Sequence, residues 1–344
     1  MLGLGIWRQE ALSSAVPSTT LNTGAQIPRL GFGTYLANGD ELYDALLVAF
    51  KVGYRHVDTA AGYYNEEVVA AAIADSGVPR EEYFVTTKLW CDSHGTGPTR
   101  KAISKSLKRL QTAYIDLYLI HVASLRIPPP FLRVHAAASS WRHRMSPLTR
   151  RTRSPPPTRA QAPDNQGETP DDIRRLRRES WLVMEEAYRA GRLRAIGVSN
   201  FEPRHIEALL RNADGTPRQG AVVPAVNQIE AHAYFDQRAA REYCERQGIV
   251  IEAYGGVSAG GLLEDATVQR LARKYRRTPA QISLRHTLQS RGGAVVLAKS
   301  LSPERIEENG ALFDFELTAR DCAALDALAQ GDEGRNYWDN SDVP

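Results

Sequence analysis

Short apolar runs and longer helical patterns alternate along this 344-residue chain from Arg29 onward. Such alternation is typical of parallel strands joined by helices. Strand patterns occur at 29–33, 55–58, 83–87, 115–120, 194–198, 225–229, 249–254 and 294–298. Helical patterns occur between them, at 40–52, 66–76, 99–110, 178–190, 203–211, 237–247 and 279–289. Eight units of this kind predict a closed (β/α)₈ barrel, which is a TIM barrel of the α/β class.

A doubly wound parallel sheet is the alternative fold. That fold usually carries a glycine-rich dinucleotide-binding sequence directly after its first strand. Here Gly31 and Gly33 are not followed by a third glycine, and no helical pattern begins at once. Before the first strand, residues 19–28 form two short runs joined through Asn22-Thr23-Gly24. This pattern predicts a β-hairpin that plugs the bottom of the barrel.

We expect a mobile N-terminal extension at 1–18, a single barrel domain at 19–335 and a C-terminal tail at 336–344. An Arg/Pro-rich segment at about 126–170 interrupts the barrel after the fourth strand. Between Leu125 and Pro163 it has eight arginines and no Asp, Glu or Lys, which predicts disorder. Three explanations stay open: translated non-coding sequence, a tolerated insertion, or a lid or partner-binding arm.

The charge of the chain is unevenly distributed. Subtracting those eight arginines from the formal net charge of +3 leaves −5 for the remainder, so nucleic-acid binding is not indicated. No apolar run approaches the roughly 20 residues that span a membrane. The cysteines at 91, 244 and 322 lie far apart and form no CxxC pair. We therefore expect a reducing, cytoplasmic location and no metal site.

Four side chains suited to acid–base chemistry lie where predicted strands end, or just after: Asp58, Tyr63, Lys88 and His121. In a barrel, these strand ends share one face. A phenol is a weak acid at neutral pH unless a cation stabilises its phenolate, so we predict that Tyr63 is a general acid assisted by Lys88. Asp58 would hold the ammonium group, and neutral His121 would orient a carbonyl oxygen. Each residue alone has a structural explanation, and the prediction depends on their joint occurrence.

Six segments resemble successive motifs of the aldo-keto reductases. They are GYRHVDTAAGYYNEE (53–67), TTKLW (86–90), DLYLIH (116–121), AIGVSNF (195–201), VNQIEAH (226–232) and AKSLSPERIEEN (298–309). The resemblance covers about residues 19–125 and 178–330. It implies a (β/α)₈ barrel that binds NADP(H), with the four residues above as the catalytic tetrad. The implied enzyme is a cytoplasmic monomer of the alcohol dehydrogenase (NADP+) type, which reduces a small aldehyde or ketone.

The resemblance also implies sites for cofactor and substrate. Cofactor contacts are implied for Gly33, Thr34, Ser199, Asn200, Gln228, Tyr254, Lys299, Ser300, Arg305, Glu308 and Asn309. Two cations and a hydroxyl follow the eighth strand, where barrels commonly bind phosphate, and they suit the 2′-phosphate of NADPH. Substrate contacts are implied for Tyr35, Trp90 and His121.

Several positions depart from the usual family pattern, among them Ala298, which replaces a frequent proline before Lys299. After His121 the family often continues with Trp-Pro, whereas this chain has Val122-Ala123-Ser124, so we expect a wider or reshaped substrate wall. After Tyr254 the common Ser-Pro-Leu is replaced by Gly255-Gly256-Val257, which indicates a more flexible cofactor loop. An NADP(H)-binding regulatory protein with little turnover is the alternative function, but the intact tetrad favours an enzyme.

Overall fold

The computed structural model of the chain describes residues 16–125, 169–212, 214–289 and 294–344. The predicted N-terminal extension lies outside these ranges except for residues 16–18. The Arg/Pro-rich segment lies outside them except for Thr169 and Pro170.

A closed barrel of parallel strands forms the centre of the molecule. Its strands within the described ranges are β3 (Leu30–Gly33), β4 (His56–Asp58), β5 (Phe84–Leu89), β6 (Ile115–Ile120), β7 (Leu193–Ser199), β8 (Val226–Glu230), β9 (Val250–Tyr254) and β10 (Val295–Ala298). Consecutive strands are neighbours, and β10 closes the barrel by pairing with β3. The predicted (β/α)₈ barrel is confirmed, and the doubly wound alternative is wrong.

The predicted hairpin is also confirmed. Strands β1 (Ser18–Thr20) and β2 (Gln26–Pro28) pair antiparallel, and Gly24 in the turn has a φ of 86°, which favours glycine. Leu21 and Ile27 are buried in one cluster with Leu117 and Val295 of the barrel strands. The hairpin therefore covers the apolar bottom of the barrel.

Helices surround the barrel. In the described ranges they are α1 (Gly39–Val52), α2 (Glu66–Ser76), α3 (Thr96–Arg109), α4 (Pro170–Arg189), α5 (Pro203–Leu210), α6 (Arg238–Arg246), α7 (Ala266–Tyr275), α8 (Pro279–Gln289), α9 (Pro303–Gly310) and α10 (Ala319–Asp326). Helices α7, α9 and α10 were not among the predicted patterns. No helix in the part of the chain that the structure describes has the length and apolar character needed to cross a membrane.

Helix α4 begins eight residues before its predicted start. The Thr169 side chain accepts a hydrogen bond from Asp172 N, and the Asp172 carboxylate accepts one from Thr169 N. This reciprocal capping satisfies backbone donors that the first turn leaves unpaired. One face of the helix then buries Trp181 and Met184 completely against the barrel. Truncation of a large core side chain of this kind typically costs about 3–5 kcal/mol of stability.

Candidate active site

The four predicted catalytic residues meet at the C-terminal end of the barrel. Asp58 is the last residue of β4, Lys88 lies one residue before the end of β5, and His121 follows β6 directly. Tyr63 ends a short 3-10 turn, Ala61–Tyr63, which follows β4. The register of β4 with β5 and of β5 with β6 places these strand ends side by side.

Lys88 and Asp58 form a buried ion pair. Lys88 Nζ donates to both carboxylate oxygens of Asp58 at 2.7 Å and to the Thr59 carbonyl at 2.9 Å. Lys88 is 0% exposed and Asp58 is 3% exposed. Burial raises the pKa of Asp58, whereas the charge and the hydrogen bonds of Lys88 oppose that shift. Because a charge this deep needs a partner, the pair holds the ammonium group in one place.

The Tyr63 hydroxyl lies between a cation and an imidazole. Its oxygen is 3.4 Å from Lys88 Nζ and 3.5 Å from His121 Nε2. Burial raises the pKa of Tyr63 well above its usual value, and the negative charge of Asp58 adds to that increase. Tyr63 is therefore protonated at neutral pH and holds a proton that it can donate.

His121 is neutral in this environment. Burial lowers the pKa of His121 well below its usual value, and the charge of Lys88 lowers it further. Asn200 Nδ2 donates to the His121 carbonyl at 3.0 Å, which connects the end of β6 to the loop after β7. A neutral imidazole can hydrogen-bond an uncharged carbonyl oxygen without adding a second cation beside Lys88.

Aromatic rings line the space around Tyr63 and His121. The Tyr35 ring centroid is 5.1 Å from that of Tyr63, and the Trp90 centroid is 5.0 Å from that of His121. A Cβ atom at Gly62 would lie 2.4 Å from the Trp90 ring, so this turn accommodates only glycine. The two predicted substrate contacts thus lie beside the predicted tetrad.

Trp338 is a wall residue that sequence reasoning missed. Its ring centroid lies 6.0 Å from that of His121 and 6.5 Å from that of Trp90, and it packs on the cluster that contains Val122. An aromatic side chain from the predicted C-terminal tail therefore lies beside Val122, at the place where the family often has Trp-Pro. The adjacent aromatics Tyr337 and Trp338 in a polar tail were the available signal.

Buried polar groups hold this C-terminal segment over the barrel. Glu230, at the end of β8, accepts from Asn336 N at 2.8 Å and from Tyr337 N at 3.0 Å. Asn340 Nδ2 donates to the Asn200 carbonyl at 2.6 Å. These contacts fix the backbone on both sides of Trp338.

Four of the predicted cofactor residues form a hydrogen-bonded group beside the tetrad. Ser199 Oγ donates to the Gln228 carbonyl at 2.8 Å, and Asn200 Nδ2 donates to Ser199 Oγ at 3.0 Å. The Tyr254 hydroxyl donates to Asn200 Oδ1 at 2.6 Å, and Gln228 Nε2 donates to Asp58 Oδ2 at 2.8 Å. The ends of β7, β8 and β9 thus present amide and hydroxyl groups that both donate and accept.

The remaining predicted cofactor residues lie mostly after β10. Lys299 and Ser300 precede α9, and Ser302 caps this helix by accepting from Arg305 N at 3.4 Å. Lys299 and Arg305 are exposed and form no ion pair within the described ranges. Such cations beside a helix N-terminus fit the phosphate end of a dinucleotide.

Other predicted contacts lie around that helix. Glu308 and Asn309 are half-buried in its last turn. A Cβ atom at Gly33 would lie 3.7 Å from Lys299 Cβ, and Thr34 N donates to the Asp58 carbonyl at 3.1 Å. The predicted cofactor residues thus extend from α9 past the end of β3 toward Asp58.

Comparison with known proteins shows which family the chain resembles. A sequence model described as the Aldo/keto reductase family matches residues 29–330. The chain is 36% identical to a glyoxal reductase of Bacillus subtilis, over 92% of this chain and 94% of the relative. It is also 36% identical to a glycerol 2-dehydrogenase (NADP(+)) of Saccharomyces cerevisiae, over 90% of each.

Solved structures give the same result. An aldo/keto reductase from Brucella melitensis superposes with a TM-score of 0.72 at 35% identity, over 91% of this chain and 98% of that protein. A variant of Gox0644 in complex with NADPH superposes with a TM-score of 0.73 at 32% identity, over 95% and 98%. The chain therefore belongs to the aldo/keto reductase family.

Proposed function

We propose that this protein reduces an aldehyde or a ketone to an alcohol with NADPH as the hydride donor. One observation carries the proposal: the Tyr63 hydroxyl oxygen lies within 3.5 Å of both Lys88 Nζ and His121 Nε2. A phenol so placed can give its proton to a carbonyl oxygen that the imidazole also contacts. Family membership and the similarity to the NADPH complex of Gox0644 support this interpretation.

Proton donation is the step that the side chains perform. As negative charge develops on the carbonyl oxygen, Tyr63 transfers its proton there and becomes a phenolate. Lys88 stabilises that phenolate because Asp58 holds the ammonium group beside it. In the reverse direction the same phenolate accepts the proton of an alcohol. General acid catalysis of this kind contributes ~10²–10⁴ in rate.

His121 and the aromatic walls orient the substrate. Neutral His121 hydrogen-bonds the carbonyl oxygen and so directs it at the Tyr63 hydroxyl. The rings of Tyr35, Trp90 and Trp338 surround the rest of the substrate. Aromatic walls favour an uncharged carbonyl compound over a charged one.

NADPH, when bound, supplies the hydride that adds to the carbonyl carbon. Ser199, Asn200 and Gln228 would hold its carboxamide, and Tyr254 would stack on the nicotinamide ring. Lys299 and Arg305 would neutralise the 2′-phosphate, which NADH lacks. The exposure of both cations, and the lack of any ion pair of Arg305 within the described ranges, support a preference for NADPH.

The names of two relatives narrow the substrate class. Similarity to a glyoxal reductase and a glycerol 2-dehydrogenase (NADP(+)) supports a small aldehyde or ketone as the oxidised substrate and the corresponding alcohol, such as a polyol, as the reduced one. Oxidation of the alcohol by NADP+ would use the same residues, with Tyr63 as the base. This reversible chemistry corresponds to an alcohol dehydrogenase of the NADP+ type.

A steady-state assay tests the proposal. The parent protein should consume NADPH when an activated aromatic aldehyde is added. In Tyr63→Phe this rate should be lower by a factor of ~10²–10⁴. The Kd for NADPH, measured by the quenching of tryptophan fluorescence, should be the same in both proteins. NADPH binding with equal, negligible turnover in parent and variant would instead support a cofactor-binding regulatory protein.

A further inference from the structure

A second carboxyl group lies in the barrel beneath the tetrad. Glu252, in the middle of β9, has no solvent exposure. Its Oε2 accepts from Gln228 Nε2 at 2.6 Å, and the same nitrogen donates to Asp58 Oδ2 at 2.8 Å. Gln228 therefore joins Glu252 to the carboxylate that holds Lys88.

The groups facing Glu252 include only one cation among the described residues. His56 and Asp58 face it from β4, Lys88 from β5, Gln228 from β8, and Tyr63 from the turn after β4. Burial lowers the pKa of His56 to about 3, so its ring is neutral. With both carboxyl groups ionised, the cluster would hold two negative charges against one positive charge. A buried excess charge is unfavourable, so one carboxyl group keeps its proton.

The contacts indicate which group is protonated. Asp58 binds the ammonium of Lys88 through both oxygens, whereas Glu252 has only the amide of Gln228. Glu252 Oε1 has no hydrogen-bond partner in the described part of the chain and lies 3.4 Å from His56 Nε2. An ionised carboxylate would leave that oxygen without a donor. Burial, followed by the charge of Asp58, raises the pKa of Glu252 to about 8.

We propose that Glu252 is a positioning residue of the reductase: its neutral carboxyl group holds Gln228 against Asp58, and its ionisation in alkali weakens proton donation by Tyr63. This inference rests on the proposed function. The direction of the effect of Glu252 ionisation on the reaction follows from the charges. An added negative charge in the cluster destabilises the Tyr63 phenolate, and Glu252 is among the groups whose charge raises the pKa of Tyr63. Reduction should therefore slow as Glu252 loses its proton.

The pH profile of turnover is the first test. In the parent, kcat for aldehyde reduction at saturating NADPH should fall between pH 7 and pH 9.5. The fall should be on the order of tenfold, as expected when one unit charge is added nearby at an effective dielectric constant of about 20. Glu252→Gln keeps a hydrogen-bonding amide and cannot ionise, so its profile should lack this fall. An identical fall in parent and Glu252→Gln would overturn the inference, while loss of turnover in Tyr63→Phe would still support the proposed function.

The second test needs no turnover. Infrared spectra of the cofactor-free parent should show a protonated carboxyl stretch at pH 6.5 that disappears as the pH rises through about 8. Such a band should be absent from Glu252→Gln. If Glu252→Gln does not fold, the titration of the parent alone decides. The absence of a carboxyl band that titrates near this pH would then contradict the inference.

NADPH affinity gives a third readout. Glu252→Leu removes one of the two acceptors of Gln228 Nε2, so the Kd for NADPH should rise about fivefold, as expected for one lost neutral hydrogen bond. Glu252→Gln preserves an acceptor and serves as the matched comparison. Equal affinity in Glu252→Leu and Glu252→Gln would show that Glu252 does not act through Gln228.

Discussion

Lys88 Nζ lies 2.7 Å from each carboxylate oxygen of Asp58, and water reaches neither group to a significant extent. The two residues belong to neighbouring strands, so the barrel itself fixes their contact. The hydroxyl of Tyr63 is the third group at this contact, 3.4 Å from the same nitrogen. The cation that would stabilise a Tyr63 phenolate is thus a rigid part of the fold.

Removal of Lys88 should reduce both stability and turnover. Lys88→Met leaves Asp58 buried without its partner, which should lower the free energy of unfolding by about 3–5 kcal/mol. The double variant Asp58→Asn/Lys88→Met has no buried charge at this place and should regain most of that loss without regaining turnover. Urea unfolding of the three proteins measures the effect. A Lys88→Met protein as stable as the parent would show that the pair is not buried as described.

Arg305 should govern the choice between NADPH and NADH. Arg305→Ala removes a charged contact to the 2′-phosphate, so the Kd for NADPH should rise roughly ten- to hundredfold, with little change for NADH. Arg211→Ala is the matched control, because it removes another exposed arginine, which follows α5 directly and pairs with Glu207. Fluorescence titration with both cofactors checks this. Parallel loss of NADPH and NADH affinity would contradict a phosphate-specific role.

Trp338 should affect the substrate but not the cofactor. Its ring faces His121 and Trp90, so Trp338→Ala removes part of the aromatic wall. The KM for an aromatic aldehyde should rise by about tenfold, as expected for the loss of an aromatic contact of about 1.5 kcal/mol. The Kd for NADPH should not change. An unchanged KM would exclude Trp338 from the substrate wall.

His205 should make the fold sensitive to acid. Its Nε2 donates to the Val343 carbonyl at 2.9 Å, and its Nδ1 accepts from Glu202 N at 3.1 Å, so protonation would break a cap of α5. Burial lowers the pKa of His205 to about 4. The unfolded chain, with an ordinary histidine pKa near 6.5, then binds more protons between pH 4 and pH 6.5. Stability should therefore fall as the pH falls through this window, by up to about 1.4 kcal/mol per pH unit.

The His205→Gln variant isolates that contribution. Urea unfolding at pH 7 and at pH 5 should show a smaller loss of stability in the variant than in the parent. Other groups titrate equally in both proteins, so the difference between the two losses belongs to His205. Equal losses would mean that His205 is protonated in the folded protein at pH 5.

The strands were predictable because most are short runs rich in apolar or β-branched residues and are largely buried, and the observed ends lie within two residues of the predicted ones. Helices α9 and α10 were not among the predicted patterns because each buries only one large apolar side chain, Ile306 and Leu325 respectively, so the helical period in the sequence is weak. Asp58, Lys88 and His121 could be found because strand ends in a barrel converge. Trp338 could not, because its place depends on how Glu230, more than 100 residues earlier, binds the backbone around Asn336. Glu252 was hidden in a strand pattern, IVIEAY, where a single charged residue was the available signal.

The most direct test of the central claim is a single-turnover measurement of hydride transfer. NADPH is bound first to the parent, to Tyr63→Phe and to Tyr64→Phe, and an aromatic aldehyde is then mixed in while NADPH fluorescence is followed. Tyr64 is the matched control, because it is the neighbouring tyrosine and is 49% exposed. We expect Tyr64→Phe to react at the parent rate and Tyr63→Phe to react ~10²–10⁴ times more slowly. Equal rates in Tyr63→Phe and the parent would contradict the assignment of Tyr63 as the proton donor.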